Sequence, residues 1–337
     1  MHYDFAPDVA RARELDGSMR VRLGESLRHL SEQCRGVVEH DEARLEALAA
    51  ALCRGERQSP AAFAHYYRLL RAVLNGEFDE AGREFAALAA LEPLPAGLRI
   101  APLAPHELGS CYPLYREMMN ADTSVDLGFA SPSESGFTAF RQRLESGLRL
   151  LRAGAPRLAG EIEAIIQDIV VVAGDKSRKF QFDGGSHFQL WGALFLNGDT
   201  PRDDVAIVEV LAHESAHSLL FGFCTEEFLV ENADEELYSS PLRPDPRPMD
   251  GIYHATFVSA RMHWALDQLL RSGILSSADR ERASAANTAN LANFNAGHAV
   301  VAEHGRLTAL GRRLMHGASD YMAGASQGLA DVGRKRA

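Results

Sequence analysis

The chain has 337 residues, is 46% hydrophobic and 24% charged, and carries a formal net charge of −11. This is the balance of an ordinary globular protein, long enough for one large domain or two, and its acidity weighs against general nucleic-acid binding. No apolar run is long enough to span a membrane, and the N-terminal stretch MHYDFAPDVARARELDG lacks the apolar core of a signal peptide, so a cytoplasmic protein is expected.

Helices are predicted throughout the first ninety residues. Residues 41–53 have apolar positions at helical spacing, and 60–75 begin with Pro60 after the N-cap candidate Ser59 and end before Gly76. Residues 78–91 form another amphipathic stretch. The segment 92–109 holds four prolines and two glycines and reads as a linker or surface crossing. On this reading the chain has an N-terminal helical region (1–92), a connection (93–109) and a motif-bearing domain (110–337), which are able to pack as one unit. The scattered Cys34, Cys53, Cys111 and Cys224 lack zinc-cluster spacing and are expected to be reduced thiols.

Residues 141–151 and 161–172 read as helices. Residues 179–182 and 187–196 read as the strands of a β-hairpin around Asp183-Gly184-Gly185-Ser186. As an exposed edge, the second strand could align an extended peptide by β-augmentation; as an interior strand it binds nothing. The next helix is expected to start with Thr200 as N-cap, Pro201 at N1 and Asp203 at N3. From 205 to 221 apolar residues fall on almost every face, which marks a buried helix. Residues 224–240 are acidic and 241–248 proline-rich. Helix resumes near His254 and runs to about 270, and another begins at Ser276 or Ser277, with helix continuing to about 314. The fold class expected is mainly α with a small β-hairpin or short sheet (α+β).

The buried helix carries His213-Glu214-Ser215-Ala216-His217. An HExxH on a helix sets two imidazoles one turn apart on one face, the bite a divalent metal needs. The third ligand separates the chemistries. A downstream glutamate (Glu227, Glu231 or Glu235) would make a zinc peptidase with Glu214 as general base. The metzincin pattern fails, because Leu220 and Phe223 stand where its glycine and histidine belong. His254, 37 residues after His217, is the alternative. Arg261 follows it by two helical turns on the same face, a poor neighbour for a metal unless an anion lies between. A keto acid such as 2-oxoglutarate would fill that place, its distal carboxylate taken by the guanidinium. A surface salt bridge to Asp or Glu fits the spacing of Arg261 equally well, and Arg243 and Arg247 are weaker candidates for the carboxylate. The non-enzymatic alternative is a binding module in which HExxH is a structural zinc site or a satisfied polar cluster.

The HExxH helix, the acidic segment and the string from Pro246-Arg247-Pro248 through Gly251 and His254 to Arg261 resemble the HEXXH-motif peptide-modification family that accompanies maturation of ribosomally synthesised peptides. The resemblance covers chiefly residues 180–270. It implies an iron(II)- and 2-oxoglutarate-dependent peptide β-hydroxylase acting on a precursor peptide, with His213, His217 and His254 holding the metal. Three histidines depart from the usual two-histidine, one-carboxylate set. Glu214 is then left to orient a metal-bound water or the peptide.

Overall fold

In the computed structural model, residues 3–120, 128–174, 182–200, 202–243 and 245–336 are described, with side chains to 325. The protein is mainly helical, with a four-stranded mixed sheet and a two-stranded pair.

The early helices α1 (Val9–Cys34), α2 (Glu42–Cys53), α3 (Ala61–Asn75) and α4 (Phe78–Ala89) follow the expected pattern. Asp41 caps α2 by accepting from the Arg44 backbone N–H. Gly76 closes α3 at φ 72°, a left-handed conformation that favours glycine. The proline-rich segment is no linker: it contains β1 (Arg99–Pro102) and the short α5 (Pro105–Leu108), with Ala101 and Leu103 buried. Its prolines sit where the backbone has no need of a donor, Pro102 at the end of an edge strand and Pro105 in the first turn of α5.

After α6 (Cys111–Met119), α7 (Glu134–Gly154) and α8 (Pro156–Ile165) comes β2 (Asp168–Val172). The helix expected over 161–172 therefore ends early and its second half is a strand. Asp168 to Val172 are all buried, as in a parallel sheet covered on both faces, and such a continuous apolar run has no alternation to distinguish it from helix. The expected strand 179–182 lies, except for Phe182, outside the described residues. The other hairpin strand is split: one turn of 3-10 helix (Phe188–Leu190) and Gly192 at φ 94° come first. β3 (Gly184–Gly185) pairs antiparallel with β4 (Ala193–Asn197), which pairs parallel with β2, as β2 does with β1. The order β1-β2-β4-β3 leaves β4 hydrogen-bonded on both sides. It is therefore an interior strand and not the open edge that peptide augmentation requires.

The motif helix α9 (Asp204–Phe223) starts with Asp203, not Thr200: Asp203 has extended backbone and accepts from the Ala206 N–H at 3.0 Å. Thr200 belongs instead to the turn after β4, where Asn197 Oδ1 accepts from the Asp199 N–H, and Pro201 lies outside the described residues. Beyond α9 come β5 (Leu237–Tyr238), β6 (Arg247–Pro248), α10 (Met249–Ser272), α11 (Ser277–His304) and α12 (Ala309–Arg336). Helix α10 starts five residues before His254, directly after Pro248, and Ser276 caps α11. Among the described residues no helix is long and apolar enough to cross a membrane.

The chain forms two compact units interleaved in sequence. One comprises Ala12–Gln142 and Ile162–Arg202. Its core packs the four-stranded sheet through Leu103, Tyr115, Phe129, Val170 and Phe195. The other comprises Met1–Arg11, Arg143–Glu161 and Asp203–Ala337. The sequence boundaries expected near 92 and 109 both fall inside the first of these.

In the second unit, α10 packs against α9, α11 and α12. Close approach of α10 and α11 depends on Gly297, where an added Cβ would lie 2.2 Å from Thr256 Oγ1. Gly297→Ala is expected to cost about 1–3 kcal/mol of stability through overpacking, read as a lower urea midpoint. An unchanged midpoint would show that the helices give way freely there.

Candidate metal centre

Helix α9 is buried on nearly all its faces, by Ile207, Val208, Leu211, Leu219 and Leu220 among others. His213 and His217 share one face of it, one turn apart. His254 arrives from the second turn of α10, which the packing of α10 on α9 brings alongside. His217 Nε2 lies 3.2 Å from His213 Nε2, and His217 Nδ1 lies 3.1 Å from His254 Nδ1. The rings of His217 and His254 stack at 5.3 Å and 17°. Phe221, one turn beyond His217, covers both rings at 6.4 and 5.7 Å.

Burial, together with His213 and His254, holds His217 well below the ordinary imidazole range. Burial also lowers His254, opposed by Asp250. Both rings are therefore neutral at pH 7, the form that binds a metal. Glu214 is buried, and its Oε1 lies 3.9 Å from His213 Nε2. The Cys224 thiol is pushed up to about 12, by burial first and then by Asp250 and Glu227.

As placed, the three histidines stand in a line with His217 in the middle, and among the described residues no three side chains share one point as a formed metal site. The donor set nevertheless suits a metal. Two imidazole nitrogens on one tetrahedral zinc are ~3.3 Å apart, and the His213–His217 pair is at 3.2 Å. Cε1 of His217 lies between its two engaged nitrogens. A half-turn of that ring exchanges Cε1 with Nε2 and turns a nitrogen toward the place flanked by His213 and His254.

The glutamates that competed for the third position are placed elsewhere. Glu227 Oε1 accepts from the Ala309 N–H at the start of α12, and the Glu231 N–H donates to Arg306 O. Glu231 and Glu235 are exposed.

Arg261, expected to face the metal with a cosubstrate carboxylate between, is only 1% exposed and already engaged. Its guanidinium pairs with Glu161 and donates to Phe5 O at 2.7 Å. The salt-bridge alternative is thus what the structure contains, in a buried rather than a surface form. Arg247, in β6, ion-pairs with Asp245 at 2.7 Å and keeps 27% of its side chain exposed.

Sequence reasoning assigned no role to Asp250 or Phe221. The signal for both was helical spacing, since Asp250 precedes His254 by four residues and Phe221 follows His217 by four.

No protein-family model matches this chain, and no curated protein matches it.

Proposed function

We propose that this chain is a cytoplasmic iron(II)- and 2-oxoglutarate-dependent oxygenase that β-hydroxylates a side chain of a ribosomally synthesised peptide, with His213, His217 and His254 as metal ligands. The observation that carries the choice is the third partner: His254 Nδ1 lies 3.1 Å from His217, while the alternative glutamates are exposed or occupied at α12. The oxygenase chemistry itself rests on the resemblance of residues 180–270. Bound there, iron(II) would activate dioxygen, the oxidant, while 2-oxoglutarate gives up two electrons and leaves as succinate and carbon dioxide.

The side chains have defined parts in this reading. His217 and His254 bind without first losing a proton, because burial keeps them neutral. Phe221 shields the imidazoles from water on one side. Glu214 accepts a hydrogen bond from the peptide or from water beside His213. Arg261 is not the cosubstrate clamp, because its charge is committed to Glu161. Arg247 and the exposed Arg243 are the remaining candidates among those the sequence offered.

One observation favours a second reading, a zinc peptidase: Glu214 stands 3.9 Å from His213 Nε2, within reach of a water on the metal. Anaerobic addition of iron(II) and then 2-oxoglutarate to metal-free protein separates the two. A visible charge-transfer band that needs both additions and vanishes in His254→Ala is the expected result. No band, together with stoichiometric zinc binding and peptide cleavage lost in Glu214→Gln, would replace the oxygenase by the peptidase.

A further inference from the structure

The two ring nitrogens of His254 face different partners. Nδ1 meets His217 at 3.1 Å, on the side where the metal ligands gather. Nε2 lies 3.9 Å from Asp250 Oδ2, within ion-pair distance though longer than a hydrogen bond. Asp250 lies in the first turn of α10, one helical turn before His254, so the pair is set by the helix itself. His254 is largely buried at 12% side-chain exposure, whereas Asp250 stands at the solvent edge at 53%. Among the described residues Asp250 is the one carboxylate within ion-pair distance of His254. Its other neighbours, Cys224 and Tyr253, are uncharged and do not compete: burial raises both, and the Tyr253 hydroxyl donates to Gly311 O.

An imidazole offers a metal only one lone pair, and its other nitrogen must then carry the proton. A carboxylate behind that second nitrogen selects the tautomer, orients the ring and increases the basicity of the ligating nitrogen. We infer that Asp250 is the positioning carboxylate of the metal centre, its charge favouring the His254 proton on Nε2 and so leaving the Nδ1 lone pair for the ligand position. The inference rests on the metal-centre reading above. It adds that the ligand atom of His254 is Nδ1 and that a residue outside the HExxH pattern tunes it.

The test uses cobalt(II) as the probe, added to full-length metal-free protein. Wild type, Asp250→Asn and Asp250→Glu are compared by chelator competition, by the visible d–d band and by the thermal midpoint of the metal-free form. Asp250→Asn is expected to weaken cobalt binding roughly 10–100-fold and to shift the band of the residual complex. Asp250→Glu, whose longer side chain spans the 3.9 Å gap, is expected to restore most of the affinity. Asp250 also favours the helix N-terminus electrostatically. A role confined to that would lower the thermal midpoint in Asp250→Asn while leaving affinity and spectrum as in wild type, and would overturn the inference. Wild type that binds no cobalt would overturn the metal-centre reading itself, and this inference with it.

Discussion

His217→Ala is expected to reduce metal affinity further than any other single change at the centre, beyond the roughly 10–100-fold that loss of an outer partner costs. The reason is position. His217 is the middle ring of the three, meeting His213 through one nitrogen and His254 through the other. On the metal-centre reading, replacing His217 removes the ligand that stands between the other two and leaves His213 and His254 without a common neighbour. Chelator competition with zinc, cobalt or iron(II) measures the loss, and thermal unfolding of the metal-free variant shows whether the fold persists. A His217→Ala protein that still loads metal at wild-type affinity would mean that the ligands lie elsewhere.

The largest effect on stability is expected at Glu161. Its carboxylate receives Arg11 Nη2 at 3.2 Å on Oε2 and Arg261 on Oε1, and the Asp8 N–H also donates to Oε2. The side chains of Arg11, Glu161 and Arg261 keep only 8%, 3% and 1% of their exposure. In Glu161→Gln two buried guanidinium groups lose their counter-charge, and breaking such an arrangement typically costs about 3–5 kcal/mol. The expected observation is a large fall in the urea midpoint with little change in slope. An exchange of all three for apolar side chains of similar volume should cost far less, because the penalty comes from stranded charge rather than from lost attraction.

The same network decides the part played by Arg261. Arg261→Met is expected to destabilise the protein while leaving the apparent affinity for 2-oxoglutarate unchanged. Normal stability with weakened 2-oxoglutarate binding would return Arg261 to the role of cosubstrate clamp.

The helices were legible in the sequence wherever local chemistry decides them. Asp41, Gly76 and Ser276 mark helix ends by capping, and the all-round apolar surface of α9 announced its burial. Strands β1 and β2 were not legible. One is four residues that end in Pro102, with Pro105 just beyond, and the other is a buried run whose periodicity equally suits a helix.

At the centre, the spacing of His213 and His217 was enough to place them on one face. The position of His254 beside His217 depends on how α10 packs on α9, which no local spacing gives. Arg261 was the main miss. Helical spacing gives the face a side chain occupies, but not what stands opposite. Its partner Glu161 lies 100 residues away in sequence, so no local pattern could reveal it. The start of α9 was misplaced by competition between two plausible caps. Thr200 is absorbed by the turn after β4, and Asp203 takes the helix end.

The interleaving of the two units has a consequence for how the protein is made. Residues Met1–Arg11 leave the ribosome well before Arg143–Glu161 and Asp203–Ala337, the segments with which they form one unit. Contacts of such sequence separation form slowly, because long loops must close before they are rewarded. While α10 is still being synthesised, α9 presents apolar side chains on faces that only the later helices cover, the kind of surface on which nascent chains aggregate. His213 and His217 are translated well before His254, so a metal arriving early would meet an incomplete ligand set. The three histidines can therefore come together only once α10 has been translated.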